Sequence, residues 1–293
     1  MRILVTGGVG FVGTNLVKKL LDKNYEVTVF DNYSTGFKKN EVKGAKYYDV
    51  DIRDGFKTWN KKFDVIFHLA ALARIQPSIK NPTPALETNV VGTMNILEYA
   101  RKNNTPVVYA GSSSYHHGLY GSPYAWSKYG GEELCKLYGE VYGLNSMICR
   151  FYNVYGPHHI RSGNYATVLG IFEEQYMNNL PLTITGDGNQ RRDFTHVDDI
   201  VDGLIKCMNT IKNNNDKKYY GEIYELGRGE NFSINEIANM FKTTTKYIPA
   251  RPGEYETTLC DFTKAKKDLG WTPTKNVDDY IQNWLQNRRT EDV

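Results

Sequence analysis

A tyrosine and a lysine four residues apart could together remove a proton from an alcohol. They are Tyr124 and Lys128, in the stretch YAGSSSYHHGLYGSPYAWSKYGGEE. Ser122 and Pro123 are typical of a helix N-cap and first helical position, so the tyrosine and the lysine are expected on one helix face. A nearby ammonium group favours the phenolate and lowers the pKa of the tyrosine. The chain has 22 tyrosines, so the spacing alone is weak evidence, and a polar helix start is the alternative.

A glycine-rich turn near the N-terminus has the features of a phosphate-binding cradle. The residues VTGGVGFVG place Gly7, Gly10 and Gly13 between a strand pattern and a helical pattern. Glycine lets the backbone amides at a helix N-terminus approach a pyrophosphate. Asp31 follows about 20 residues later, where a carboxylate accepts hydrogen bonds from the adenosine ribose and repels a 2′-phosphate. Because no arginine follows directly, the sequence predicts NAD rather than NADP; a glycine-rich turn with a surface aspartate is the alternative.

Apolar strand patterns alternate with helical patterns in the first half of the chain. The segments RILVTGG, YEVTVFDN, AKYYDVDIRD, DVIFHLAA and PVVYAGSSS read as five strands. Helices are predicted at about 11–23, 83–102 and 123–142. Repeated strand–helix units with nearly continuous apolar strands predict an α/β fold built on a doubly wound parallel (Rossmann) sheet. Asp51 and Ile52 end the third strand, where we expect them to hold the adenine edge.

The pattern changes after RFYNVYGP, where Gly156 and Pro157 interrupt the chain. We therefore expect an NAD-binding Rossmann domain at 1–156, with returning segments near 184–205 and 222–238. Residues 157–293 are expected to form mainly a smaller, substrate-binding lobe.

Composition and charge exclude several classes of protein. The net charge of +3, with 36 basic and 33 acidic residues, gives no electrostatic argument for nucleic acid. No apolar run approaches the roughly 20 residues of a membrane span, and no signal peptide is evident, so a cytoplasmic location is expected. The four cysteines lie far apart and are expected to be reduced thiols. The six histidines include two adjacent pairs without a carboxylate or cysteine at ligand spacing, so no metal site is expected.

The motifs taken together resemble a known family. TGGVGFVG, DNYSTG, DVDIRD, HLAA, ETNVVGT, SSS, YAWSK, RFYNVYGP and GDGNQRRDFTHVDD occur in the order seen in the extended short-chain dehydrogenase/reductases. The resemblance covers nearly the whole chain and is closest to nucleotide-sugar 4-epimerases such as UDP-glucose 4-epimerase. It implies transient hydride transfer to a retained NAD, a UDP-sugar substrate and a homodimer.

The resemblance also assigns roles to individual positions. It makes Ser112, Tyr124 and Lys128 the catalytic set, with Ser113 and Ser114 beside them lining the substrate pocket; turn filler is the alternative for the serines. The cofactor-binding positions it implies are Gly7, Gly10, Phe11, Val12, Gly13, Asp31, Asn32, Ser34, Thr35, Gly36, Asp51, Ile52, Leu69, Ala70, Ala71, Asn89, Tyr124, Lys128 and Tyr152. The further substrate-binding positions it implies are Asn153, Arg192, Arg251, Glu254 and Thr258. The two arginines match residues that clamp the diphosphate, and a solvated surface role is their alternative.

Two features that differ among members of the family bear on which sugar the pocket accepts. Thr258 matches a position that gates the sugar's 2-substituent, and its small side chain predicts that UDP-N-acetylglucosamine is accepted as well as UDP-glucose. The loop between Ser114 and Tyr124 is shorter than in most relatives by some fifteen residues, which leaves the effect on this side of the pocket open. The alternatives to an epimerase are a decarboxylase or dehydrogenase acting on a nucleotide sugar, and a non-catalytic NAD-sensing protein of the same fold.

Overall fold

The structure is a computed structural model that describes residues 1–55, 59, 61–212, 216–253 and 255–291. The strands are β1 (Arg2–Thr6), β2 (Glu26–Asp31), β3 (Lys46–Asp49), β4 (Val65–His68), β5 (Val107–Ser112), β6 (Ser146–Phe151), β7 (Asn153–Tyr155), β8 (Leu182–Thr185), β9 (Arg191–His196), β10 (Tyr220–Leu226), β11 (Asn231–Ser233) and β12 (Thr245–Ile248). The α-helices are α1 (Phe11–Asp22), α2 (Ile75–Lys80), α3 (Pro82–Leu86), α4 (Thr93–Asn103), α5 (Pro123–Tyr142), α6 (Val168–Met177), α7 (Val197–Ile211), α8 (Ile234–Met240), α9 (Thr263–Leu269) and α10 (Val277–Glu291).

Seven of these strands form one parallel sheet in the order β10-β6-β5-β4-β1-β2-β3. The strand order reverses between β1 and β4, as in a doubly wound sheet, and the carboxyl ends of the strands then open a crevice at that point. The predicted α/β fold is confirmed, and the five strands read from the sequence are all present.

Successive side chains along the central strands point to opposite faces of the sheet, and both faces are covered by apolar cores. In β1, Ile3 and Val5 point to one apolar core and Leu4 points to the other. The first core is covered by α1 and α7, and the second by α4 and α5. Because both faces are buried, the strands read as unbroken apolar runs instead of alternating polar and apolar residues.

A third core lies outside the central sheet. Phe172 of α6, Phe241 after α8 and Ile281 of α10 pack there with Tyr155 of β7. This region holds the sheet β11-β9-β7 and the pair β12-β8. The segments 184–205 and 222–238, which were expected to return to the first domain, are each divided between the central sheet and the third core. Helix α7 packs in the first core, and β10 lies in the central sheet. Strands β8 and β11 and helix α8 belong to the third core.

The prediction of a single helix at about 83–102 is wrong in one detail. A π-helical segment, Glu87–Gly92, lies between α3 and α4 and interrupts the helix. A Cβ on Gly92 would lie 2.5 Å from Ile52, so the backbone here approaches its neighbour closely. Thr93 Oγ1 donates to the Asn89 carbonyl at 2.7 Å. Single π-helical turns occur frequently at functional sites. Here the side chain of Asn89, in the π-helical segment, contacts the loop after β4.

No helix in the described part of the chain combines the length and apolarity needed to cross a bilayer. All four cysteines are buried free thiols, and the sulfurs of Cys149 and Cys207 lie 3.4 Å apart.

Candidate active site

The turn after β1 is closed around its three glycines. Gly7 has φ +74°, and a Cβ there would lie 2.7 Å from the amide nitrogen of Ala70. A Cβ on Gly13 would lie 2.1 Å from the Gly7 carbonyl oxygen, and one on Gly10 3.2 Å from it. Gly10 is the N-cap of α1 and contributes no side-chain cap, so the first-turn amides of Phe11, Val12 and Gly13 keep donors for a ligand.

Asp31 is fixed at the end of β2 by the same turn. Its carboxylate accepts from the amides of Val9 at 3.0 Å and Tyr33 at 2.9 Å. Burial raises the pKa of this carboxyl, and the two amide hydrogen bonds oppose that rise. Each carboxylate oxygen has a second lone pair, so the side chain can still accept from ribose hydroxyls.

The residues beside Asp31 form a small polar cluster. Asn32 donates to Asp51 at 2.9 Å and accepts from the amide of Ser34 at 3.1 Å. Arg53 donates to both oxygens of Asp51 and holds the pKa of that carboxyl well below its usual range. Ile52 is buried beside it, Thr35 and Gly36 are partly buried, and a Cβ on Gly36 would lie 2.6 Å from Val9.

Small residues line the groove after β4. Leu69, Ala70 and Ala71 are partly buried, and the Ala70 amide donates to Thr6 Oγ1 at 3.2 Å. The side chain of Asn89 fixes Leu72, the residue after Ala71. It accepts from the Leu72 amide at 2.8 Å and donates to the Leu72 carbonyl at 3.1 Å. Its amide also donates to Ser127 Oγ at 2.9 Å, which ties this groove to α5.

The catalytic candidates meet where β5 passes into α5. Tyr124 donates from its hydroxyl to Ser112 Oγ at 3.3 Å, and Ser114 Oγ lies 2.9 Å from the same atom. Ser113 is half-buried and makes no described contact with Tyr124. Burial raises the pKa of Tyr124, while the Ser112 hydrogen bond and the charge of Arg74 lower it. Ser122 caps α5 by accepting from the Ala125 amide at 3.1 Å, so the predicted N-cap is confirmed.

Lys128 lies one turn further along α5 and is 5% exposed. Its ammonium nitrogen is 4.4 Å from the ring centroid of Tyr109. Burial lowers the pKa of this ammonium group to about 8, and the charge of Glu132 opposes that shift. The lysine therefore brings a poorly solvated positive charge to the side of the helix that carries Tyr124.

The substrate side is organised around a buried carboxylate, Asp193. It accepts from the amides of Arg228 at 2.7 Å, Gly229 at 2.8 Å and Cys260 at 3.1 Å. Its own amide donates to Thr258 Oγ1 at 3.0 Å, and Asn153 donates to the same oxygen at 3.4 Å. Thr258 is 2% exposed, so its hydroxyl is fixed by its neighbours and its side chain has one orientation.

Four further positions were predicted to belong to the site: Tyr152, Arg192, Arg251 and Glu254. Arg192 is partly buried and donates to the Arg191 carbonyl at 2.9 Å, whereas Arg251 is exposed. Tyr152 is buried, and burial raises its pKa. Glu254 lies outside the described residues. Burial and then the phenol of Tyr124 raise the pKa of Tyr255, and the charge of Arg192 lowers it.

Two features of the site were missed by sequence reasoning. Arg74, in the loop after β4, acts electrostatically on Tyr124; it is the one charged residue between His68 and Lys80 in the sequence, a signal that could have drawn attention to it. His68 is buried between Thr6, at 2.7 Å, and Thr93, at 2.9 Å. Burial, followed by the charge of Lys128, lowers its pKa to about 3, so this imidazole stays neutral.

A buried ion-pair network supports the shortened loop. Arg150 of β6 donates to Glu132 of α5 at 2.6 Å and to Glu225 of β10 at 3.0 Å. The ring of Tyr115 lies 3.6 Å from the Arg150 guanidinium carbon, and His116 lies 2.7 Å from Glu225. The segment between Ser114 and Tyr124 is thus anchored to two strands and the helix.

The site fits a dinucleotide. The glycine turn leaves space that a Cβ would fill, α1 presents its amides there, and Asp31 stands at the end of β2. NAD would be held by these residues along the crevice toward Lys128.

Comparison with known proteins agrees with this geometry. Residues 3–227 match the model of the NAD dependent epimerase/dehydratase family. A Methanocaldococcus jannaschii relative, provisionally named UDP-glucose 4-epimerase, is 35% identical over 97% of this chain and 98% of its own. UDP-glucuronic acid decarboxylase 1 of Danio rerio is 29% identical over 97% of this chain and 72% of its own.

A solved structure, the UDP-glucose 4-epimerase of Thermotoga maritima with UDP-glucose, superimposes with a TM-score of 0.88 at 29% identity over 99% of each chain. The chain belongs to the NAD-dependent epimerase/dehydratase family. It is an enzyme of that family, its cofactor is NAD, and the resemblance to extended short-chain dehydrogenase/reductases is confirmed.

Proposed function

We propose that this protein is a nucleotide-sugar 4-epimerase of the UDP-glucose/UDP-galactose type. The observation that carries the proposal is the contact between the Tyr124 hydroxyl and Ser112 Oγ, 3.3 Å apart, with the buried ammonium of Lys128 one helical turn away. This arrangement suits removal of a proton from a secondary alcohol. It stands beside a cradle that fits NAD, which supplies a reversible hydride acceptor when bound.

Each residue of the set has a distinct task in this reaction. Tyr124 accepts the proton of the sugar 4-hydroxyl as the C4–H bond breaks, and Ser112 holds the same hydroxyl by a hydrogen bond. Lys128 stabilises the phenolate and holds the nicotinamide ribose. After the 4-keto sugar has turned over in the pocket, C4 regains the hydride on its opposite face while Tyr124 returns the proton to the same oxygen, so the sugar is inverted at C4 without net oxidation.

The substrate side supplies anchoring. Arg192 and Arg251 are proposed to clamp the diphosphate, for which a guanidinium fork is suited. Glu254 is proposed to contact the nucleoside ribose, and Asn153 and Thr258 to face the sugar. Because Thr258 is small, the pocket is proposed to accept UDP-N-acetylglucosamine as well as UDP-glucose.

The test is incubation of the purified protein with UDP-, GDP- and dTDP-sugars, with products identified by NMR. Conversion of UDP-glucose to UDP-galactose, with no net NADH, supports the proposal. Release of CO2 from a uronic sugar would instead indicate a decarboxylase, and net NADH a dehydrogenase. The family resemblance implies a glutamate in the serine run of UDP-glucuronate decarboxylases, and the serine run of this chain has none, which favours the epimerase.

We also propose that two chains pair through α4 and α5. Leu137, Val141 and Tyr142 of α5 are each at least half exposed. Met94 in the first turn of α4 and Val91 just before that helix are about two-fifths exposed. Exposed apolar residues gathered on adjacent helices mark an interaction surface. An isologous four-helix contact would bury them in a homodimer.

A further inference from the structure

His68 is a buried histidine to which the proposed reaction gives no role. It is the last residue of β4, and its side chain joins β1 to α4. Nδ1 lies 2.7 Å from Thr6 Oγ1 at the end of β1, and Nε2 lies 2.9 Å from Thr93 Oγ1 at the start of α4. The residue is 1% exposed, so neither solvent nor a ligand in the crevice reaches the imidazole. Any effect on the reaction must pass through its two partners.

The partners of the two hydroxyls fix which ring nitrogen carries the proton. Thr93 Oγ1 donates its single hydrogen to the Asn89 carbonyl at 2.7 Å, and a carbonyl only accepts. His68 Nε2 must therefore donate to Thr93. Thr6 Oγ1 accepts from the Ala70 amide at 3.2 Å, which leaves its own hydrogen for His68 Nδ1. All these groups are paired only when the imidazole is neutral with its proton on Nε2, and burial, which lowers the pKa of His68 to about 3, keeps it neutral.

A neutral imidazole also suits the neighbouring charge. The His68 ring centroid lies 5.6 Å from that of Tyr109, and the Lys128 ammonium nitrogen lies 4.4 Å from the same Tyr109 centroid. A second positive charge at His68 would repel this ammonium group in poorly solvated surroundings. The hydrogen bonds and the nearby charge therefore favour the same state of the histidine.

The series of hydrogen bonds continues from Asn89 to the catalytic helix. The side chain of Asn89 accepts from the Leu72 amide at 2.8 Å and donates to the Leu72 carbonyl at 3.1 Å. Its amide also donates to Ser127 Oγ at 2.9 Å, and Ser127 donates to the Tyr124 carbonyl at 2.8 Å. One residue of the π-helical segment thus holds both the loop after β4 and the first turn of α5, and His68 acts on that residue through one hydroxyl.

We infer that His68 is a positioning residue for the reaction, in which its neutral imidazole sets the spacing between the groove after β4 and Tyr124. The inference rests on the proposed function, because Tyr124 is the group that takes the proton there. Without the imidazole, the Thr6 hydroxyl would lose its acceptor and the Thr93 hydroxyl its donor, and a buried polar group without its partner is unfavourable. The π-helical segment would then be free to shift. A displacement of about 1 Å between reacting groups slows a reaction by up to about 100-fold.

The experiment compares two pairs of variants in the purified, NAD-containing protein. His68→Phe keeps a planar ring without nitrogens, whereas His68→Gln keeps a donor and an acceptor. Thr93→Val keeps the shape and removes the hydroxyl, whereas Thr93→Ser keeps the hydroxyl. We expect His68→Phe and Thr93→Val each to lower kcat on the nucleotide sugar by about 10- to 100-fold, with KM and NAD content unchanged. The two conservative variants should recover most of this loss.

Combining the two disruptive substitutions tests whether they act on one series of hydrogen bonds. His68→Phe with Thr93→Val should be no slower than the slower single variant, because each already breaks the same connection. If His68→Phe fails to fold, Thr93→Val and Thr93→Ser carry the comparison.

Hydrogen exchange of the Leu72 amide, followed by NMR, reads the same connection without turnover. This amide donates to Asn89 Oδ1 at 2.8 Å. We expect it to exchange at least about 10-fold faster in His68→Phe and Thr93→Val, the equivalent of one neutral hydrogen bond. The Gly229 amide, which is hydrogen-bonded on the substrate side at 2.8 Å, is the control and should not change.

Four results would overturn the inference. They are wild-type kcat in both disruptive variants, a parallel loss of kcat, KM and NAD content, a double variant that loses the product of the two single effects, and unchanged exchange of the Leu72 amide. A protein that converts no nucleotide sugar would refute the proposed function alone, because hydrogen exchange would still decide whether His68 holds the π-helical segment.

Discussion

The hydroxyl of Tyr124 donates to Ser112 Oγ at 3.3 Å across the short segment that joins β5 to α5. This is longer than the usual O–H···O distance of about 2.7–2.8 Å. Catalytic hydrogen bonds are often long without substrate and tighten when it binds. A sugar hydroxyl that bridges the two oxygens would replace this contact, so the pair already marks the place of the reacting atom.

Removing the phenolic oxygen should therefore stop the chemistry and spare the fold. We expect Tyr124→Phe to lower kcat by about 10²- to 10⁴-fold, the usual contribution of a general acid–base group. Bound NAD, measured after denaturation, should change little. Tyr120→Phe is the matched control, because Tyr120 is 92% exposed in the same segment. Near-normal turnover by Tyr124→Phe would remove Tyr124 from the mechanism.

Asp31 should determine cofactor choice. Asp31→Asn removes the negative charge that repels a 2′-phosphate and one acceptor for the ribose hydroxyls. We expect NAD affinity to fall by about 10-fold or more, as for loss of a charged hydrogen bond, and the NADP-to-NAD affinity ratio to rise. Chromatography of cofactor released from each variant gives the measurement. Asp49→Asn, at the exposed end of β3, is the control; NADP in the wild-type protein would contradict the assignment.

The exposed face of α5 should hold a second copy of the chain. We expect light scattering of the wild type at micromolar concentration to give twice the chain mass of 33.5 kDa. Val141→Glu, at a residue 60% exposed, should give monomers, because a charge buried in an apolar contact is unfavourable. Leu180→Glu, at a similarly exposed residue between α6 and β8, should remain dimeric. A monomeric wild type would end the proposal.

Features that depend on local pattern were predictable from the sequence. The strands of the central sheet show as apolar runs because both faces of each are buried. The glycine turn and the cap at Ser122 are likewise encoded within a few residues. The candidate site could be outlined for the same reason, since Ser112, Tyr124 and Lys128 lie within one strand–turn–helix unit.

Features that depend on contacts between distant segments were not predictable. A Cβ on Gly131 of α5 would lie 2.1 Å from the Tyr109 hydroxyl of β5, so this glycine allows the close approach of a strand that is distant in the sequence. The position of Arg74 beside Tyr124 depends on how α2 packs on α5, some 50 residues apart in the chain. The π-helical segment ends at Gly92, where a Cβ would lie 2.5 Å from Ile52, a residue about 40 positions earlier in the chain. Propensity and periodicity carry no information on such pairs.

Burial of the Lys128 ammonium group should lower the stability of the folded protein, although the proposed reaction needs this charge. Its pKa is lowered by burial from 10.5 to about 8. Below pH 8 both the folded and unfolded states hold the proton, so the cost of burying the charge is fully present. Between pH 8 and 10.5 only the unfolded state holds it, so wild-type stability rises with pH.

We therefore expect Lys128→Met to abolish turnover and to raise the free energy of unfolding of cofactor-free protein by up to about 3 kcal/mol below pH 8, from 1.36 kcal/mol per pH unit. This gain should shrink as the pH rises from 8 to 10.5. Urea unfolding across this range gives the measurement, with Lys136→Met, at a partly exposed position on α5, as the control. A gain that did not vary with pH would show that burial of the charge is not its cause.

Thr258 should set which group the pocket accepts at C2 of the sugar. Its hydroxyl accepts from the Asp193 amide at 3.0 Å and from Asn153 at 3.4 Å, so replacement changes both a hydrogen bond and the volume of the side chain. Thr258→Tyr adds an aromatic ring, and we expect it to lower kcat/KM for UDP-N-acetylglucosamine at least about 10-fold more than for UDP-glucose, because steric exclusion acts on one substrate only. Thr258→Val keeps the volume and removes the acceptor, so it should weaken both sugars alike and leave their ratio unchanged. The two variants together separate the effect of side-chain size from the effect of the hydrogen bond. Two results would show that Thr258 does not select the group at C2: a wild type that is inactive on UDP-N-acetylglucosamine, or a Thr258→Tyr variant whose kcat/KM ratio for the two sugars is unchanged.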